Sequence, residues 1–172
     1  MSTATMGPRF YEVELIGSGF LAVMAKPVAG EWVHEEFSQL AAAGIKNVVS
    51  LLEPSEAYEV GLANEGSFCR KQGIEFVSYP IPDRGLPPSV VGFAKFTRGL
   101  YGEIAGGKST VVHCRAGIGR TAIMAAGVLL HAAFNPKDAF ARISMVRGVK
   151  VPDTDEQYNW VVNHFREITS ET

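Results

Sequence analysis

The spacing of apolar and polar positions changes several times along this chain. Residues 10–15 alternate apolar and polar and predict a short strand; residues 20–25 predict a second. Between 31 and 43 the apolar residues Trp32, Val33, Phe37, Leu40 and Ala41 recur at near-helical spacing, and Gly44 stands where a C-cap belongs. Residues 47–52 form a compact apolar run that predicts a strand. The stretch 54–72 is mixed and helical in parts, and Gly73 ends it. Residues 74–79 predict another strand. Pro80, Pro82, Gly85, Pro87 and Pro88 make 80–88 a loop. A helix over 89–105 follows, then a turn at Gly106, Gly107 and Lys108 and a buried strand over 110–113. Gly117 and Gly119 mark a tight loop that opens a helix over 120–134. Asn135-Pro136 reads as an N-cap with proline in the first helical position, starting a helix that runs to Met145. Asp153-x-x-Glu156 has capping-box spacing and predicts a last helix through Ile168.

Strands alternating with helices predict an α/β fold: a central, mostly parallel sheet flanked by helices. The alternation is regular and offers no internal boundary, and 172 residues suit a single domain over 1–172. Residues 1–9 carry no element and are expected to be flexible.

Composition narrows the function classes. Sixteen basic against 18 acidic residues give a net charge of −2, without the basic excess of a generic nucleic-acid binder. Two cysteines, Cys69 and Cys114, are too few for a disulfide scaffold. His34, His113, His131 and His164 are scattered with no zinc spacing, so no metal or other cofactor is expected. The first residues lack an apolar signal core, and the longest apolar run, 122–130, is far too short for a membrane span. A cytoplasmic, reducing compartment is the default expectation, and in it a lone cysteine can serve as a nucleophile. Nothing in the pattern speaks to oligomeric state.

The informative stretch is His113-Cys114-Arg115-Ala116-Gly117-Ile118-Gly119-Arg120-Thr121, which follows a strand and opens a helix. A helix N-terminus and a nearby cation both favour a thiolate. Two glycines let the backbone curl so that several N–H groups point at one centre, an anion nest. Arg120 adds a planar fork that matches two phosphate oxygens. Such a loop holds a dianion over a nucleophilic sulfur. Two other patterns overlap the region. Gly117-x-Gly119-x-x-Ala122 fits a dinucleotide fingerprint, but too little chain follows it for the rest of that fold. Gly102-x-x-x-x-Gly107-Lys108-Ser109 fits a nucleotide P-loop in reversed context, with a helix before and a strand after, and reads as a helix-ending turn.

His-Cys, five residues, then Arg-Thr resembles the signature of the cysteine-dependent protein tyrosine phosphatase superfamily. Rhodanese-like sulfurtransferases also use a loop cysteine, but with four residues before the arginine. The resemblance implies that Cys114 is the nucleophile and that Arg115, Ala116, Gly117, Ile118, Gly119 and Arg120 cradle the phosphate. It implies that Asp83, in the proline-rich loop, is the general acid, and that Thr121 donates to the sulfur as it leaves. His113 would orient the loop. Residues 151–157 resemble the family's Pro-x-Thr-x-x-Gln stretch, so Gln157 would approach the loop and help position water. Arg147 and Lys150 offer a basic rim for an acidic or phosphorylated partner. Cys69 reads as a buried structural thiol on an apolar helix face, with a protective disulfide to Cys114 as the alternative.

The small size resembles the dual-specificity group, atypical members included, whose shallow pocket admits phosphotyrosine, phosphoserine and phosphothreonine. The resemblance therefore implies a phosphorylated protein as substrate and partner. A phosphoinositide ranks below it, because the loop carries Ile118 where inositide phosphatases often carry a second lysine. An RNA 5′-triphosphate ranks lower still for want of a basic groove. A non-enzymatic phosphoresidue-binding module is the rival reading; such modules usually lose the cysteine, the arginine or the acid, and all three are present here.

Overall fold

The computed structural model describes residues 9–171. The expected flexible segment over 1–9 lies outside the described residues, apart from an exposed Arg9. Five strands and eight helices follow in the order β1 (Phe10–Ile16), β2 (Gly19–Met24), α1 (Val33–Ala42), β3 (Asn47–Ser50), α2 (Pro54–Glu59), α3 (Glu65–Lys71), β4 (Glu75–Ser78), α4 (Val90–Ala105), β5 (Thr110–His113), α5 (Gly119–His131), α6 (Pro136–Arg147), α7 (Asp155–Asn163) and α8 (Phe165–Thr169). The strands form one sheet in the order β1-β2-β5-β3-β4. β1 and β2 are an antiparallel hairpin; β2, β5, β3 and β4 pair in parallel. The α/β expectation holds, with the one antiparallel strand at an edge.

Alternation along the central strands splits the core in two. Ala22, Met24, Val48 and Val111 pack on one face with Phe37 and Leu40 of α1 and Cys69 of α3. Leu21, Val23, Val49 and Val112 pack on the other with α4, α5 and α6. α5 is buried on nearly every side, from Arg120 through Leu130. That all-round burial explains its continuous apolar sequence, which a surface helix would not carry. The C-terminal end of β5, at the centre of the sheet, therefore feeds a rigid loop and a fully packed helix.

Several boundaries differ from the sequence reading. The mixed stretch 54–72 resolves into α2 and α3, and Gly73 follows with φ +73°. α5 ends at His131, three residues early, where Ala133 takes the left-handed conformation. α6 runs two residues past Met145 and stops at a left-handed Gly148. The predicted capping box at Asp153 and Glu156 is one residue out of register. Thr154 caps α7, with Gln157 as its reciprocal partner. The predicted last helix is two helices broken at His164, so that α7 leans on α5 and α8 on α4, burying Val161 and Ile168.

Candidate active site

The site is built where β5 ends. Cys114 is the first residue after the strand and is buried, with the thiol in the larger core half. The loop that follows is held by its carbonyls. Cys114 O faces Nδ1 of His113 at 3.1 Å. Arg115 O accepts from Lys26 N at 3.1 Å. Ala116 O accepts from Nη2 of Arg147 at 2.8 Å, and Gly117 O from its Nε at 3.4 Å. Four consecutive carbonyls are thus taken by groups outside the loop. In a trans peptide the C=O of one residue and the N–H of the next point opposite ways. The amides of Arg115, Ala116, Gly117 and Ile118 are thereby turned to the opposite side, which makes an anion nest from uncharged groups.

The two glycines are required for different reasons. Gly117 has φ +74°, and a Cβ there would sit 2.5 Å from Met24 O. Gly119 has ordinary backbone angles, but a Cβ would collide with Asp153 and Gln157. Ile118, the N-cap of α5, offers no side-chain cap, so the first-turn amides of α5 remain available to an anion.

Arg120 is 2% exposed and crowded by acceptors. Its Nη1 donates to Glu56 Oε1 at 2.7 Å and to Ile81 O at 2.9 Å. Its Nη2 donates to Glu56 Oε2 at 3.0 Å and reaches Asp83 Oδ1 at 3.4 Å. Burial works against the charge. The Glu56 hydrogen bonds and the negative charges of Cys114, Glu56 and Asp83 outweigh it and hold the guanidinium above its ordinary value. Glu56, in return, is held below the usual carboxylate range, chiefly by the hydrogen bond from Arg120. Asp83 sits in a turn of the proline-rich loop, its side chain mostly exposed. The loop is anchored by Ile81 N to Leu51 O and by Gln157 Nε2, which donates to Gly85 O at 3.2 Å.

The fold brings Cys114, Arg120, Asp83, His113 and the loop amides together. Other expected residues are placed differently. Gln157 does approach the loop, since a Cβ placed on Gly119 would meet its Oε1, but its amide is spent on the Thr154 cap and on Gly85. Thr121 Oγ1 is buried with no hydrogen-bond partner, so the expected donation to the sulfur is not formed. The Arg115 side chain does not line the nest; it lies 3.5 Å from Glu59 and 3.8 Å from Glu56, and only its amide faces the anion position. Arg147 is not a free basic rim. It grips two loop carbonyls and lies over the Tyr11 ring, 4.7 Å from its centroid. Lys150 is exposed.

Two carboxylates were not anticipated. Glu56 orients Arg120, and its only trace in the sequence is the Glu53-x-x-Glu56 spacing of a capping box, which α2 does form. Glu65 sits 2.6 Å from Nε2 of His113, both side chains buried, and no local pattern announces it. Cys69 is buried on the opposite face of the sheet from Cys114, as a structural thiol should be, and burial pushes it up to about 12. Among the described residues no group of three or more His, Cys, Asp or Glu side chains is placed to hold a metal, and no helix is long and apolar enough to cross a membrane.

A family model described as "Tc-R-P: Polymorphic toxin system, DSP-PTPase phosphatase" matches residues 22–133, from β2 to the end of α5, and so spans the nest, the acid loop and both buried carboxylates. The chain belongs to this phosphatase family. Its curated relatives include cyclin-dependent kinase inhibitor 3 of Rattus norvegicus, 26% identical over 137 residues that cover 78% of this chain and 64% of the relative. The Homo sapiens protein of that name is 25% identical over the same shares. The chain thus spans just under two thirds of the length of these relatives. Among solved structures, a kinase associated phosphatase with its catalytic-site cysteine substituted by serine superposes with a TM-score of 0.85 at 22% identity, covering 98% of this chain and 99% of that one. Tk-PTP in its active form gives 0.74 at 23% identity, covering 97% and 100%. The chain shares their fold.

Proposed function

We propose that this chain hydrolyses phosphate monoesters on proteins, phosphotyrosine and phosphoserine or phosphothreonine, through a phosphocysteine intermediate, as one phosphatase domain over 1–172. The observation that carries the reading is the convergence on Cys114 of an amide nest, a buried Arg120 and, through Arg120, the Asp83 carboxylate. Such preorganised donors are the largest common source of transition-state stabilisation.

The Cys114 thiolate attacks phosphorus in line while the ester oxygen leaves. Nest amides and Arg120 take the equatorial oxygens. Both hydrogens of Arg120 Nη1 are committed to Glu56 and Ile81, so the dianion takes Nε and the Nη2 hydrogen that Asp83 gives up. Asp83, released from Arg120 and carrying a proton taken from solvent, passes that proton to the leaving oxygen. Water then attacks phosphorus, the sulfur departs, and Asp83 accepts the water's proton. Thr121, with its unpaired buried hydroxyl, turns toward the departing sulfur; Gln157 holds the acid loop through Gly85. No cofactor is called for in this sequence of steps. A cytoplasmic location and a phosphoprotein partner belong to the same reading.

Cys114→Ser is expected to abolish turnover of an aryl phosphate while still binding vanadate or phosphate. Full turnover by this variant overturns the reading. Asp83→Asn should slow alkyl phosphates far more than aryl esters with good leaving groups; equal loss for both removes Asp83 from the acid role.

A further inference from the structure

Among the buried ionisable groups that take no part in the chemistry, one touches the nucleophile's own strand. Glu65, the first residue of α3, is 1% exposed, yet its Oε2 lies 2.6 Å from Nε2 of a fully buried His113. The other ring nitrogen, Nδ1, faces Cys114 O at 3.1 Å. A carbonyl oxygen can only accept, so Nδ1 must carry a hydrogen for this to be a bond. A neutral imidazole has a free choice of which nitrogen is protonated, and that choice is set by what the other nitrogen meets. With the hydrogen on Nε2 alone, the Nδ1 lone pair would oppose the Cys114 carbonyl. Glu65 gives a second hydrogen its place. Both ring contacts need one, so the pair holds two: one on Nδ1, pointing at Cys114 O, and one shared between Nε2 and Glu65, whichever of the two keeps it.

We propose that Glu65 is a positioning residue: it fixes His113 as an Nδ1–H donor to the nucleophile's own carbonyl. The consequence falls on the sulfur. Cys114 O is the first of the four carbonyls that hold the nest open, and the only one whose peptide carries the Arg115 amide beside the thiol. With the carbonyl bonded to His113, that amide stays turned toward the anion position and the carbonyl's negative end is damped. Without the bond the peptide is free to turn, and the thiolate loses a donor.

The groups that face this corner are few. α3 supplies Glu65, with Cys69 one turn on and Arg70 beside it. α5 supplies Arg120, α2 supplies Glu56, and the acid loop supplies Asp83. The Arg115 side chain is engaged by Glu56 and Glu59. β2 and β3 place Met24 and Ser50 in register with His113, and neither titrates.

The inference rests on Cys114 being the nucleophile, and its test is independent of turnover. The rate of Cys114 alkylation by iodoacetamide is followed against pH in the intact protein, and its midpoint reports thiolate formation. Glu65→Ala should move the midpoint up by about one unit, tenfold less thiolate on the acid side. Glu65→Gln can donate its amide N–H to Nε2 and keep Nδ1–H, so it should hold the original midpoint. His113→Asn should shift the midpoint as Glu65→Ala does, and the double variant should shift it no further. A folded Glu65→Ala with an unmoved midpoint overturns the proposal, as does an additive double variant. Should Glu65→Ala not fold, the ring nitrogens of His113 decide by 15N NMR on the unmodified protein. A hydrogen on Nδ1 supports the proposal, and a neutral ring protonated at Nε2 alone overturns it. Loss of the Cys114→Ser phenotype would break the catalytic reading while leaving these midpoints interpretable.

Discussion

A single guanidinium shows how tightly the site is built. Arg120 is a buried cation, and Glu56 is its main counter-charge, gripping both of its terminal nitrogens. Removing one partner of a buried pair leaves the other uncompensated, at a cost of about 3 kcal/mol. Glu56→Ala should therefore lose about that much stability in urea unfolding and weaken vanadate binding at the same time. A linked pH effect follows from the lowered Glu56. In the unfolded chain a glutamate titrates near about 4.3. A folded value below that means stability is fully present above this pH and is lost as pH falls through the folded value. Glu56→Gln should flatten the decline in stability below about pH 4, measured by urea melts across the acid range. Most of the candidate site was legible in the sequence because nine of its residues, 113–121, are contiguous. Glu56 and Glu65 were not, since each acquires its role by meeting a side chain 64 or 48 positions away. Acidic residues on amphipathic helices look like solvated surface until the fold buries them.

At the scale of elements, the nest is shaped by neighbours on both sides. α6 closes it through Arg147, whose two nitrogens hold Ala116 O and Gly117 O while Tyr11 of β1 supports the flat face. A lysine could supply charge but not this fork. Arg147→Lys should therefore raise KM for an aryl phosphate several-fold with little change in melting temperature, and the KM-against-kcat split in steady-state kinetics checks it. Gly117→Ala is expected to be harsher, since it meets both a left-handed φ and the Met24 carbonyl. A loss of about 2 kcal/mol or more should appear in denaturant unfolding. The one-residue error at the start of α7 has a physical origin. Asp153 and Thr154 are both good caps, each followed at the right distance by Glu156 or Gln157. Gln157 is fully buried and needs both ends of its amide bonded, so Thr154 wins the cap; Asp153 packs against Gly119 instead. Strand and helix order was readable from periodicity. The break at His164 was not, because it is set by which neighbouring helix each half packs on.

Across the whole molecule, one sheet separates two core halves and two thiols with different fates. Cys69 and Cys114 belong to opposite faces. Oxidation with dilute peroxide should leave Cys69 reduced and form no bridge to Cys114, which peptide mapping under non-reducing conditions would show. Because both core halves share the same strands, the protein should melt in a single transition. A bound phosphate analogue stabilises only the folded form. At about 100 times its Kd it should add about 2.7 kcal/mol, or about 5–10 °C in Tm for a chain of this size. The Cys114→Ser variant should keep that shift.

The four tethered carbonyls of the nest have a consequence for rates. Three are fastened by Lys26 and Arg147, from other parts of the fold, and the first by the neighbouring His113 ring, so the loop has its binding shape before any anion arrives. Ordering of the loop then does not separate encounter from capture; the one local exchange on binding is Asp83 leaving Arg120 Nη2. In stopped-flow mixing, vanadate should bind in one exponential phase, and its observed rate constant should rise linearly with concentration without reaching a plateau.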